Sequence, residues 1–219
     1  MAEHALQSFK PLAGIREAWC SLHLYPNDTK RQVIAYHYCS MLDEDRRQCL
    51  VYDSNSKDAK LMAVEYIISQ KLFESLDENE KKFWHSHKYE CESGMLVQIA
   101  KPMVPEMVVE TAEIPALQNL CNTYGKTVQL WPVDDQGNCS SKVPSGPPQI
   151  LASFTADGQV RADLLEKRDK EMGIETEKKR KERMGHVQGN PPAEGADQWF
   201  TKGKAWQIYD RGDRGVVEQ

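Results

Sequence analysis

Apolar positions along the chain switch between a two-residue and a 3.6-residue period, and the order of these stretches predicts the architecture. A short helical stretch over 12–19 is followed by strand-like alternation over 20–25. Pro26-Asn27-Asp28 marks a turn. Residues 31–42, rich in β-branched and aromatic side chains, read as a strand. A polar turn over 43–45 and a strand over 48–52 follow, which predicts an antiparallel hairpin. Residues 57–76 carry Leu61, Val64, Ile68, Leu72 and Leu76 at helical spacing, the strongest helical signal in the chain. Asp77 with Glu80 forms a capping-box-like start for a second helix reaching about His85. Residues 91–99 read as a strand and 103–109 as an extended connection. A helix over 114–123 is closed by Tyr124-Gly125. Strands over 127–133 and 149–155 flank a Pro- and Gly-rich loop over 134–148. Residues 164–183 form a highly charged helix, and 189–195 a loop. Trp199, Phe200, Trp206 and Tyr209 make the end aromatic again, so it is expected to pack back on the core.

This order is not the strict strand–helix alternation of a parallel sheet. It predicts an α+β fold, with a single antiparallel sheet, helices packed on one face, a charged C-terminal helix and a docked aromatic tail. Residues 12–162 would form the core, and 163–219 the charged helix and tail.

Composition narrows the function classes. The chain has 219 residues and a net charge of −5, which disfavours nucleic acid as a partner. No apolar run is long enough for a transmembrane segment, and the first ten residues hold no apolar signal region. A cytoplasmic protein is expected. The six cysteines form no C-x-x-C pair and read mostly as reduced, buried small hydrophobes. The basic run Lys178-Lys179-Arg180-Lys181 is flanked by glutamates and reads as a solvated helix face.

The chemistry lies with the histidines. Of six, His4 and His186 sit in polar segments, whereas His23, His37, His85 and His87 fall within ordered elements. His85-x-His87-x-x-Glu90 offers imidazole and carboxylate, the common pairing at transition metals. In a strand the two histidines share a face and Glu90 opposes them; in a helix His87 and Glu90 are neighbours and His85 is not. The trio converges only if the chain changes conformation between them. The spacing resembles the first cupin motif, but the Glu comes one residue early and no second motif follows, so that assignment is rejected. The expected metal ligands are His37, His85 and His87, for iron, copper or zinc. Glu90 would be a further ligand or general base, and His23 an acid/base residue. Tyr36, Tyr38, Trp84 and Tyr89 would flank the site. Glu65 could reach the site from beside an apolar stripe, or make a surface salt bridge. The plainer alternative is hydrogen-bonded core histidines.

Several motifs together resemble the plant oil body-associated proteins, part of a larger family with fungal and bacterial members built on a domain of unknown function. They are Tyr36-His37-Tyr38-Cys39-Ser40, Arg47-Gln48-Cys49-Leu50-Val51-Tyr52-Asp53, Val64-Glu65-Tyr66-Ile67, Lys71-Leu72-Phe73, Trp84-His85-Ser86-His87, Tyr124-Gly125-Lys126-Thr127 and Phe154-Thr155-Ala156-Asp157-Gly158-Gln159. The likeness spans about residues 12–210. It implies a peripheral position on lipid droplets and attaches no reaction to the fold. Plant members carry histidine where this chain has Met41 and Gln129. Two functions are therefore expected as alternatives. One is a histidine-rich, metal-binding pocket for a small hydrophobic molecule. The other is a non-catalytic protein of the lipid-droplet surface, or a scaffold. A homodimer is compatible with either.

Overall fold

The computed structural model describes residues 6–208 and the strand 216–218. Ten strands and seven α-helices are present among these residues. β1 (Glu17–Tyr25), β2 (Asp28–Met41) and β3 (Arg46–Tyr52) form a meander, as the alternation predicts. β4 (Leu61–Ser69) joins its far side and leads into α1 (Gln70–Glu74) and α2 (Glu78–Lys81). Then come β5 (His85–Ser86), α3 (Lys88–Glu92), β6 (Val97–Gln98) and α4 (Glu106–Leu120). β7 (Thr123–Gln129), β8 (Gln149–Leu151), α5 (Ala162–Met172) and α6 (Thr176–Arg183) complete the main body. α7 (Gln198–Thr201), β9 (Lys204–Trp206) and β10 (Val216–Glu218) end it, with β9 and β10 paired.

The main sheet is antiparallel, in the order β5-β7-β4-β3-β2-β1-β6, with β8 also on β7. It curls until Ala152, just past β8, exchanges backbone hydrogen bonds with Leu24 of β1 at 2.9 and 3.0 Å. The two ends of the sheet thus meet around an inner face. The α+β class and the antiparallel sheet agree with the pattern. α3 and α4 fill the inner face, where Cys91, Leu117 and Leu120 pack on Trp19, Val51 and Ile67. Leu164 of α5 packs on the outer face against Cys20, Leu22 and Ile34, so helices cover both sides.

Several elements differ from expectation, each for a physical reason. The segment 57–76 is not one helix: Leu61–Ser69 is strand β4, and only Gln70–Glu74 is helical. β4 lies between β3 and β7, and buried apolar residues at neighbouring positions (Met62 beside Ala63, Ile67 beside Ile68) mask its period of two, although Tyr66 is half exposed. The predicted helix over 12–19 is a short 3-10 turn at Leu12–Gly14 before β1. Asp77 caps the helix, its carboxylate accepting from Glu80 N at 3.0 Å, but Glu80 Oε1 accepts from the Trp84 indole and Lys126, and the helix stops at Lys81. The stretch 91–99 is the end of α3 and the short β6, and α4 begins at Glu106, earlier than 114. Tyr124-Gly125 is no helix cap but lies inside β7.

The charged helix over 164–183 is two helices, broken at Gly173, which takes the left-handed conformation. Its basic face is not simply solvated. Lys179 and Arg183 are buried, and Arg183 donates to the carbonyls of Cys91 and Leu96 at 2.8 and 2.7 Å. Arg183 also pairs with buried Glu113 at 3.3 Å. Two cysteines depart from the reduced state expected of them: the β2–β3 register sets Cys39 opposite Cys49, and they form a disulfide. Of the aromatic end, Trp199 packs back against the outer core as expected, whereas Phe200 is half exposed; Tyr209 lies outside the described residues.

Candidate metal centre

Strand register gathers the histidines on the inner face. On β1 and β2 the odd-numbered residues point inward, which places His23 and His37 there. Across the sheet, Cys49 pairs with Glu65, Glu65 with Thr127, and Gly125 with His85. After Ser86 the chain turns into α3, so His87 and Glu90 approach from the helix while His85 comes from the strand. This is the change of conformation the His85-x-His87-x-x-Glu90 spacing requires. Asp197 holds the bend, accepting from Ser86 N at 3.0 Å and Ser86 Oγ at 2.6 Å.

The hub is Glu65. Its Oε2 lies 3.2 Å from His37 Nε2, and its Oε1 lies 3.3 Å from His85 Nε2 and 3.5 Å from His87 Nε2. His23 Nε2 lies 3.1 Å from His37 Nε2. Glu90 Oε1 stands 3.7 Å from His87 Nε2, while its Oε2 accepts from Ser21 Oγ at 2.6 Å and Ser153 Oγ at 3.1 Å. All four histidines and both glutamates are buried.

Outer hydrogen bonds set two tautomers. Thr123 Oγ1 donates to the Leu120 carbonyl at 2.7 Å, so it accepts from His87 Nδ1–H at 2.8 Å. His23 Nδ1–H donates to the Ala152 carbonyl at 3.3 Å. Both rings therefore direct the lone pair of Nε2 inward, the arrangement that metal-ligating histidines use.

Charge follows burial and proximity. Burial lowers the His23 pKa to about 3, so this imidazole is neutral. Burial alone would raise the Glu65 carboxyl, but the close approach of His37, His85 and His87 overcomes it and holds the group well below the usual range. Burial likewise pulls His87 down, and Glu65 and Glu90 outweigh it, so its pKa is raised. The centre is a carboxylate ringed by imidazoles.

Two observations fit this donor set to a metal ion. His85 Nε2 and Glu65 Oε1 are buried and make no hydrogen bond of good geometry. An unsatisfied buried polar atom costs roughly 1–3 kcal/mol, which a shared cation would relieve. The second is Gly125. A Cβ there would lie 2.3 Å from Glu65 Oε1, 2.6 Å from His85 Nε2 and 2.7 Å from His87 Nε2. Only glycine leaves room for the three donor atoms to converge.

His23, His37, His85, His87 and Glu90 all come together here. The aromatic flank does not. Tyr36 and Tyr38 alternate with His37 and so face the opposite way, Tyr36 donating to Glu171 at 2.9 Å. Tyr89 donates to Asp157 at 2.6 Å, and the indole of Trp84 to Glu80 at 2.9 Å. The small cavity beside the centre, about 20 Å³, is lined instead by Trp19, Cys39, Ile67, Leu96 and Leu120 together with the polar donors. Cys39 shares a face with His37, but its sulfur is committed to the disulfide. Met41 is half exposed at the end of β2, away from the donors, whereas Gln129 is buried on the inner face beside the Tyr25 hydroxyl. Glu65, Gly125 and Thr123 carry the site as much as the histidines do. A lone carboxylate inside the apolar run from Val64 to Ile68 was the signal for Glu65.

A family of proteins of unknown function, DUF1264, matches residues 9–186. Oil body-associated protein 1A of Zea mays is 40% identical over 182 residues, covering 83% of this chain and 72% of that protein. Oil body-associated protein 2A of Arabidopsis thaliana is 39% identical over 205 residues, covering 93% and 78%. The chain belongs to the oil body-associated protein family. No solved structure matches it. No helix among the described residues is long and apolar enough to cross a membrane.

Proposed function

We propose that this protein binds a transition metal through Glu65, His37, His85 and His87, and uses the centre on a small molecule admitted from the apolar side of the cavity. The observation that carries this reading is the convergence of buried imidazole nitrogens on one carboxylate, with His85 Nε2 and Glu65 Oε1 left without hydrogen bonds. A bound iron, copper or zinc ion would supply Lewis acidity toward water or dioxygen. Glu90, held by Ser21 and Ser153, is placed to take a proton, because its Oε1 faces the centre and accepts no hydrogen bond from the serines. Trp19, Ile67, Leu96 and Leu120 favour an apolar reactant, and the cavity volume of about 20 Å³ admits only something the size of water or dioxygen without an opening movement. Metal analysis of protein purified without an affinity tag tests the proposal. Stoichiometric metal that falls in a His85→Ala, His87→Ala variant is expected. Metal well below one ion per chain, unchanged by those substitutions, would sink it.

A second reading, association with a lipid surface, is favoured by the relatives' names and by one patch. Met103 is 99% exposed and Met107 77%, with Val104 and Val108 beside them at the start of α4. Four exposed apolar side chains within one short segment suit shallow insertion among lipid tails. Co-flotation with phospholipid-coated oil emulsions is the direct measurement. Both readings are compatible in one molecule, with the centre inside the sheet and the patch outside it.

A further inference from the structure

The donors of the centre gather as two triads, His23–His37–Glu65 and Glu65–His85–His87, that share only Glu65. Resting on the reading that this pocket binds metal, we propose that it holds two ions bridged by the Glu65 carboxylate. The two oxygens of Glu65 face different partners: Oε2 faces His37, and Oε1 faces His85 and His87. In the first triad His37 Nε2 lies 3.1 Å from His23 Nε2 and 3.2 Å from Glu65; in the second Glu65 lies 3.3 and 3.5 Å from His85 and His87; all donor atoms of each triad lie within 4.8 Å of one another. Ligands bound at about 2.0–2.2 Å to one ion stand roughly 3–3.5 Å apart, so each triad matches one coordination sphere. A carboxylate binding through both oxygens suits ions about 3.5–4 Å apart, the spacing of two-metal sites.

His23 becomes intelligible on this basis. Its Nδ1–H is spent on the Ala152 carbonyl, and its Nε2 points at His37 Nε2 at 3.1 Å. Two facing imidazole nitrogens at this distance need a proton or a cation between them. With a proton there the pair is an ordinary N–H···N hydrogen bond between core histidines. As a ligand His23 completes the first triad. Glu90, at 3.7 Å from His87 Nε2, adds a second carboxylate on the other side and helps offset the charge of two divalent ions.

Titration of the full chain with Mn²⁺ or Zn²⁺ alone, read by bound metal per chain, tests this. Two ions per chain are expected. Each paired variant, His23→Gln with His37→Gln, or His85→Gln with His87→Gln, should retain one. Electron paramagnetic resonance of the wild-type protein loaded with Mn²⁺ needs no variant. A spin-coupled signal is expected, and an isolated six-line signal at saturation would overturn the proposal. One ion per chain in the wild type, lost wholly in both paired variants, would also overturn the bridged pair while leaving the metal reading intact. No saturable binding at all would remove both.

Discussion

At the scale of single residues, the centre depends on groups that do no chemistry themselves. Gly125 provides the space in which Glu65, His85 and His87 converge, because a Cβ there would come within 2.7 Å or less of all three donor atoms. Gly125→Ala is therefore expected to abolish stoichiometric metal binding, since backbone on β7 cannot move aside without breaking its pairing with β4. Metal content, with circular dichroism to verify folding, measures this. Thr123 acts more gently. Its hydroxyl is tied to the Leu120 carbonyl and accepts from His87 Nδ1. Thr123→Val keeps the shape and removes the acceptor. Losing such an outer partner typically weakens metal affinity by about 10–100-fold, and competition with a chromogenic chelator would read that loss. An unchanged affinity would show that His87 is oriented by packing alone.

At the scale of elements, β4 is the most instructive piece. Leu61, Val64 and Ile68 repeat at helical spacing, but in the central strand Met62, Ala63, Ile67 and Ile68 are buried while Leu61 and Tyr66 stay exposed. Periodicity cannot separate a helix from a strand whose apolar residues fall on both faces. Had 57–76 been a helix, Glu65 would have stood away from His37; as a strand, it pairs across the sheet into the inner face. The junction at 85–90 has the opposite history. Its residue types already demanded a bend, and β5 followed by α3 supplies it. The exposed apolar start of α4 belongs to an element that closes the inner core further along with Leu117 and Leu120. Met103→Glu with Met107→Glu should lower co-flotation with lipid by an order of magnitude or more, because each inserted methionine contributes roughly 1.5–3 kcal/mol. Thermal stability should not move, as both side chains are exposed. Equal flotation of the variant would assign lipid contact to another surface.

At the scale of the whole molecule, the curled sheet couples folding to the centre. His23, His37, Glu65 and His85 lie on four different strands, and the Leu24–Ala152 bridge brings the ends of the sheet together around them. A cation held by these residues ties the strands to one another in the folded state and has no equivalent site in the unfolded chain. Removing metal with a chelator should therefore lower Tm. Free metal at about 100 times Kd contributes about 2.7 kcal/mol, which corresponds to roughly 5–10 °C for a chain of this size. Differential scanning fluorimetry with and without chelator, and the same pair for Glu65→Gln, measures it. The wild type should shift and Glu65→Gln should not.

The residues alone marked the histidines as candidate donors and predicted the class of fold. Four histidines in ordered elements and an antiparallel hairpin are legible because residue type and local alternation are properties of sequence, whereas Glu65 read equally as a surface salt-bridge residue. Tertiary structure decided which donors meet. Glu65 became the hub through the pairing of β4 with β3 and β7, and His23 joined His37 through the β1–β2 register. Tyr36 and Tyr38 were turned away by the same alternation that points His37 inward. The opposition of Cys39 and Cys49 was likewise a matter of register. Register is fixed by long-range burial, since a slip of one residue would turn every inner side chain outward, and no local window of sequence carries that information.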